Sequence, residues 1–176
     1  MYNQRQMSLF SALARILDRA SFLSRYRVAG ESMTPTLRDG QQVLAVSAPR
    51  SGRPLPRGAL VVFKHPESPD VIYIKRIVGL PGEDLFINDD GRAHIGGESL
   101  PEPYLAPMPS LNENLPARRA TARRWITEAD EYFIMGDNRH DSRDSRSFGP
   151  VHHDWILGRV WLRCWPPQGW SFLGRR

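Results

Sequence analysis

Cysteine is almost absent from this sequence, which contains a single one, Cys164. No disulfide can therefore form within the chain, and this excludes a small disulfide-stabilised scaffold. The sequence also shows no internal repeat and no glycine-rich phosphate-binding loop. These absences argue against a repeat protein and against a P-loop nucleotide enzyme.

Long hydrophobic runs are missing as well. Residues 8–23 carry apolar side chains at helical spacing, but Arg15, Asp18 and Arg19 interrupt them. A bilayer span needs about 20 predominantly apolar residues, so this stretch predicts an amphipathic helix and neither a span nor a signal peptide. Such a helix either packs on the core of the protein or lies in a membrane interface.

Lysine is scarce, because Lys64 and Lys75 are the two lysines among 24 basic residues. Arginine stays protonated at any working pH, whereas a desolvated lysine can lose its proton. A retained lysine is therefore a weak sign that a deprotonatable amine is needed. The net charge of +5 suits anionic partners such as phospholipid headgroups, although a solvated basic surface is its ordinary interpretation.

The residues that are present predict a mostly β protein. Fifteen prolines and fourteen glycines favour short strands joined by turns. Apolar and β-branched stretches predict strands at 42–47, 59–64, 71–80, 131–135 and 155–165, with a hairpin at 85–95. We expect an N-terminal amphipathic helix within 1–25, a β core formed by 26–83 and 131–168, an inserted hairpin and loop sub-domain at 84–130, and a tail at 169–176.

Residues 27–40, RVAGESMTPTLRDG, present a serine in a turn. Gly30 can adopt backbone angles that a side chain forbids, and Pro35 fixes its own φ. The stretch therefore predicts a rigid turn with Ser32 near its apex. Most serines in such turns only bond the local backbone, and a serine becomes a strong nucleophile only when a base takes its proton.

Two kinds of base are available for Ser32. Lys75 is the better candidate, because its apolar neighbours Ile74 and Ile77 would desolvate the amine and lower its pKa. The alternative for this lysine is an amine that reaches solvent or a carboxylate. A Ser–His–Asp set remains open through His140 together with one of three acids in its loop: Asp137, Asp141 or Asp144.

A polar loop at 136–149 is the third notable stretch. In it, Asp144 and Arg146 are close enough for an ion pair, and Ser142 could bond a neighbouring amine. Such bonds in an Asx-rich loop are often purely structural. The adjacent His152 and His153 point apart on a strand and lack accompanying ligands, so we predict no metal site.

Together these stretches resemble the type I signal peptidases, which are membrane-associated serine endopeptidases with a Ser–Lys dyad. GESMTPTLRDG is similar to their nucleophile box, YIKRIVGLPGE to their lysine box, GDNRHDSRDSRSFGPV to their third box and ILGRVWLRCWP to their closing strand. The resemblance spans about residues 28–166. It implies a mostly antiparallel β core with a variable insertion, in agreement with the segment 84–130.

The resemblance also implies roles for individual residues. Ser32 matches the nucleophile, Lys75 the general base, and Ser142 the serine that orients the lysine amine. Asp144 and Arg146 match a pair that braces the site, and Met33 belongs to the nucleophile box. Gly30 stands where the family has serine or glycine, so a hydroxyl donor is absent and the Ser32 backbone N–H must serve the oxyanion. No cofactor and no metal is implied.

The function implied by the resemblance is removal of N-terminal signal peptides from exported preproteins by cleavage after small residues. It places the protein at the cell membrane with its active site on the extracytoplasmic face, with a membrane surface and no nucleic acid among its partners. Family members usually carry a transmembrane helix before the serine box. Here helix 8–23, a partner or extra sequence provides the anchor, or the protein works in solution.

Two rival interpretations remain at this stage. A self-cleaving repressor domain also uses a Ser–Lys dyad, but no helix-turn-helix and no cleavage site in cis is recognisable. An inactive peptide-binding module is the non-enzyme alternative, and the joint presence of Ser32 and Lys75 argues against it. Basic residues at 118–124 either form a solvated face or contact lipid headgroups.

Overall fold

A computed structural model describes residues 23–48, 54–105 and 123–173. The predicted helix 8–23 lies outside these residues apart from its last position, and so does most of the basic stretch 118–124. The strands are β1 Leu23–Arg27, β2 Gln42–Ser47, β3 Leu60–His65, β4 Ser68–Gly79, β5 Asp84–Ile87, β6 Ala93–Ile95, β7 Glu98–Ser99, β8 Arg123–Ile126, β9 Glu131–Met135, β10 Val151–His152, β11 Ile156–Trp165 and β12 Ser171–Phe172. One short helix, α1, spans Ser145–Phe148, and two 3-10 turns span His153–Trp155 and Pro167–Gly169.

The larger sheet has the strand order β1-β2-β11-β3-β4-β9-β10, with β12 added to β11. Its strand pairs are antiparallel. This confirms the expectation of a mostly antiparallel β protein. The central position of β3 and β4 follows from their apolar, β-branched sequences, because such strands can be covered on both faces.

Alternate residues of β3 enter two different cores. Val61 and Phe63 belong to one buried cluster, and Leu60 and Val62 belong to another. This follows from the period of two in a strand. The second cluster also contains Met33 and Leu37 of the serine turn, so the turn is anchored in the same core that supports the middle of the sheet.

Strands within the predicted insertion 84–130 form a second sheet with the order β7-β6-β5-β8. The predicted hairpin is present as β5 and β6. The prediction omitted two further strands, β7 and β8, which extend this hairpin on both sides. Buried side chains of β5 and β6 share a cluster with Val78, Phe133 and Met135. Gly79 allows this close approach, since a Cβ there would lie 2.5 Å from a methyl carbon of Leu85.

Three local expectations need correction. Leu23–Arg27 pair with β2 as a strand, so residues 23–25 are not helical. The polar loop 136–149 contains α1, whose N-cap is Asp144. The tail adds β12 to β11 by pairing with Leu162 and Arg163. Within the described parts of the chain, no helix is both long enough and apolar enough to cross a bilayer.

Candidate active site

The serine turn is held by its own backbone and by the core. The Val28 N–H donates to Gln41 O at 2.8 Å, and the Gly30 N–H donates to Asp39 Oδ1 at 2.8 Å. Gly30 has φ +81°, which is the left-handed conformation that favours glycine. Met33 is buried beneath the turn. Ser32 is thus presented from a fixed loop, as the sequence predicts.

Lys75 reaches the serine from the middle of β4. Its Nζ donates a hydrogen bond to Ser32 Oγ at 2.6 Å. The lysine is only 3% exposed. Its Nζ also lies 5.3 Å from the centroid of the Tyr73 ring. The structure therefore brings together the two residues to which the resemblance assigns the nucleophile and the base.

The environment of Lys75 favours its neutral form. Desolvation by burial is the largest cause and lowers the pKa of the amine to about 8. The carboxylates of Asp144, Asp137 and Asp141 raise this pKa, and the Arg146 guanidinium lowers it. With a pKa of about 8, a substantial fraction of the amine is neutral near pH 8. A neutral amine can accept the proton of Ser32.

Asp144 and Arg146 form the predicted ion pair. Arg146 Nε lies 2.8 Å from Asp144 Oδ1, and Arg146 Nη2 lies 2.9 Å from Asp144 Oδ2. The buried carboxylate also accepts the Gly136 N–H at 2.9 Å. The pair therefore braces the start of the loop 136–149 and does not contact Ser32 directly.

Asn138, to which the resemblance assigns no role, ties this loop to the serine turn. Its backbone N–H donates to Ser32 O at 3.1 Å, and its side-chain Nδ2 donates to Glu31 O at 3.3 Å. The available signal was its place in the GDN sequence of the third box. These two bonds help to fix the position of Ser32 by tying its turn to the loop 136–149.

A second missed feature is the buried pair formed by Arg76 and Asp137. Arg76 Nε and Nη2 donate to the two carboxylate oxygens at 2.8 and 2.6 Å. Arg76 also donates to Gly58 O at 2.7 Å. Such a bidentate pair is strong and specific in geometry. It connects the residue after Lys75 with the residue after Gly136.

Ser142 lies close to the site, but its predicted bond to Lys75 is not formed. Its Oγ is buried and has no hydrogen-bond partner within the described residues. The hydroxyl is instead packed against Gly136, where a Cβ would lie 2.2 Å from Ser142 Oγ and 2.6 Å from Ser32 O. Orientation of the lysine amine by Ser142 therefore remains a prediction.

This packing makes Gly136 a sensitive position. We expect Gly136→Ala to reduce peptide cleavage by at least about tenfold, because the new methyl must displace either Ser142 or the backbone of Ser32. Steady-state cleavage of a soluble peptide checks this. Gly30→Ala is not a suitable control, because the positive φ of Gly30 would strain an alanine there. Ala29→Gly is the control for a general effect of loop flexibility on cleavage. Unchanged cleavage by Gly136→Ala would contradict the close packing.

The alternative base His140 is not assembled with the serine. His140 is exposed, and two of its possible partners are engaged elsewhere, since Asp137 binds Arg76 and Asp144 binds Arg146. His152 accepts the Asp154 N–H through Nδ1. In residues 23–48, 54–105 and 123–173, no three His, Cys, Asp or Glu side chains form a cluster suited to a metal.

A cleft of about 430 Å³ runs along the dyad. Its walls come from the serine turn, from β4 and from the loop 136–149. Val28, Met33 and Ile74 give it apolar surface next to Ser32 and Lys75. An extended peptide therefore has an apolar channel beside the nucleophile.

The chain is similar in sequence to known proteins. The family model "Signal peptidase, peptidase S26" matches residues 3–165. Signal peptidase IB of Staphylococcus aureus (strain COL) is 33% identical over 156 residues, which cover 80% of this chain and 77% of that protein. Signal peptidase I V of Bacillus subtilis (strain 168) is 33% identical over 140 residues, which cover 77% of this chain and 82% of that protein.

Among solved structures, the crystal structure of a signal peptidase I from Enterococcus faecalis V583 is 32% identical, with a TM-score of 0.49, and the match covers 62% of this chain and 98% of that one. The family match and the curated relatives set aside the self-cleaving repressor as an alternative. The chain belongs to the signal peptidase family, peptidase S26, and is a serine endopeptidase.

Proposed function

We propose that this protein removes N-terminal signal peptides from exported preproteins by a Ser–Lys dyad mechanism. The observation that carries the proposal is the 2.6 Å hydrogen bond to Ser32 Oγ from the Nζ of Lys75, a lysine that is almost completely buried. Membership in the signal peptidase family supplies the substrate class.

In the proposed mechanism, neutral Lys75 takes the proton of Ser32 as the oxygen attacks the scissile carbonyl. The oxyanion accepts a hydrogen bond from the Ser32 backbone N–H, because Gly30 supplies no hydroxyl. The lysine ammonium then gives its proton to the leaving amine, which yields the new N-terminus of the mature protein. Lys75 next activates a water that hydrolyses the acyl-enzyme and releases Ser32.

The proposed specificity is cleavage after small residues. We expect peptides with alanine at the first and third positions before the bond to be cleaved, and substitution of either alanine by leucine to slow cleavage by at least about tenfold. The expectation rests on the family resemblance. Mass spectrometry of a preprotein-derived peptide series measures it, and faster cleavage of either leucine peptide would refute it.

A direct test uses a full-length exported preprotein. We expect the purified chain to release the signal peptide and leave one new N-terminus, which N-terminal sequencing identifies. The Ser32→Ala protein is the control and should leave the preprotein intact. Cleavage at scattered sites would show a general protease instead.

We also propose that the protein acts at the cell membrane, with its active site on the extracytoplasmic face. Exposed aromatic side chains support a membrane surface as a partner: Trp165 is 51%, Trp170 65% and Phe172 64% exposed. Aromatic rings of this kind favour the membrane–water interface. The arginine excess adds attraction to anionic lipid.

A further inference from the structure

A second cavity lies apart from the dyad. Its volume is about 460 Å³, which is within the usual range of ligand sites. The loop at 100–104 forms one wall, while β11, β12 and residues 56–60 form the others. In the described part of the chain, the residues that line this cavity and those that line the cleft beside Ser32 are different sets. We call it the Arg159 cavity.

Among the residues that the structure describes, three arginines and no acidic residue line the Arg159 cavity. Arg57 is neutralised by Glu83, and Arg76 is neutralised by Asp137. Arg159 is half-buried and, within the described residues, forms no ion pair and no side-chain hydrogen bond. An uncompensated guanidinium in a partly enclosed space favours a ligand with a phosphate or carboxylate group.

Most of the remaining lining is apolar, although Thr36 and Tyr104 also contribute to it. Pro101, Pro103 and Leu173 contribute to it, and so does Phe172. The Phe172 ring lies 5.4 Å from that of Trp161, and both side chains are exposed. The cavity therefore opens beside an aromatic surface, so its occupant should be anionic at one end and apolar at the other.

We propose that the Arg159 cavity binds the headgroup of an anionic phospholipid. Its phosphate would lie on the Arg159 guanidinium, and its glycerol and upper acyl carbons would lie along Phe172. The inference deepens the membrane association proposed above by naming a discrete lipid site. A soluble lipid monomer tests the site without a membrane, so failure of the site and failure of membrane docking are distinguishable.

The first experiment titrates the full chain with dihexanoyl-phosphatidylglycerol below its micelle concentration and follows tryptophan fluorescence. We expect Arg159→Gln to weaken binding by about tenfold, because a charge-assisted hydrogen bond is lost. Arg159→Lys should lose several-fold despite its retained charge, because lysine cannot form a bidentate contact. The control Arg25→Gln removes an equal charge on β1 and should change binding less than about twofold.

Two further arms distinguish lipid from simple anions. Phe172→Ser should weaken binding of the lipid monomer but leave binding of inorganic phosphate unchanged. Equal affinity of the native chain for phosphate and for the lipid monomer would overturn the proposal of a lipid site. An Arg159→Gln protein with native affinity for the lipid monomer, or an Arg159→Lys protein with native affinity, would overturn the assigned contact.

The final arm compares sedimentation with phosphatidylglycerol and phosphatidylcholine vesicles. We expect the native chain to bind the anionic vesicles more tightly and Arg159→Gln to lose most of this preference. If the Arg159→Gln protein keeps the preference for anionic vesicles, then the general surface charge causes this preference, and the proposed lipid site is overturned. If the native chain binds the lipid monomer but no vesicles, the result would support the lipid site and contradict docking of the protein on a membrane surface.

Discussion

Ser32→Ala and Lys75→Arg are each expected to lower peptide cleavage by a factor on the order of 10⁴ or more while the fold is retained. Alanine removes the nucleophilic oxygen. Arginine keeps the positive charge but cannot become a neutral base, so it cannot accept the proton of Ser32. Cleavage of a soluble peptide, followed by mass spectrometry, measures the loss, and circular dichroism checks the fold.

The chain offers a matched control for the lysine. Lys64→Arg makes the same exchange at the other lysine, which is exposed on β3, and should leave cleavage unchanged. Substantial turnover by Lys75→Arg would remove the dyad from the proposed mechanism. It would also revive His140 as a base, although that side chain is exposed and its neighbouring acids Asp137 and Asp144 are paired with arginines.

Much of the β core could be predicted because its signals are local. Gln42–Ser47 and Glu131–Met135 are strands with the predicted bounds, since short apolar runs end there at turn residues. The second sheet was only partly predictable. Its outer strands β7 and β8 hold few apolar residues and depend on pairing with β6 and β5, which no local pattern encodes.

The candidate site was likewise only partly predictable from the sequence. The proximity of Ser32 and Lys75 was expected from two motifs. Their separation of 43 positions in the chain does not by itself indicate how far apart they lie in the folded protein. The hydrogen bonds of Asn138 to the serine turn and of Arg76 to Asp137 join distant segments. These residues lie within the recognised motifs, but the sequence does not show which segments they join, so the tertiary structure is needed to show that they support the site.

The burial of Lys75 should also appear in the stability of the protein. Its pKa is about 8 in the folded protein and about 10.4 in an unfolded chain. Below pH 8 the amine is charged in both states, and folding must desolvate that charge. Between about pH 8 and 10.4 the unfolded chain binds more protons than the folded one, so the stability contributed by this group rises with pH.

Replacing Lys75 by methionine removes this titration but keeps an unbranched side chain. We therefore expect Lys75→Met to be more stable than the native protein at pH 7, and this advantage to fall by about 3 kcal/mol as the pH is raised to about 10.5. Urea unfolding of both proteins across this range measures the difference. Charges that titrate elsewhere affect both proteins alike and cancel.

Cleavage activity should follow the titration of the same group and should also increase with pH. Because the proposed base must be neutral, native cleavage should increase with pH, reach half its maximum near pH 8 and remain high above it. Lys64→Met is the control. Its stability difference from the native protein should not change with pH, and its cleavage should have the same pH dependence as that of the native protein. If the stability difference between Lys75→Met and the native protein stays constant from pH 7 to 10.5, then Lys75 has an ordinary pKa and its burial does not make it a base.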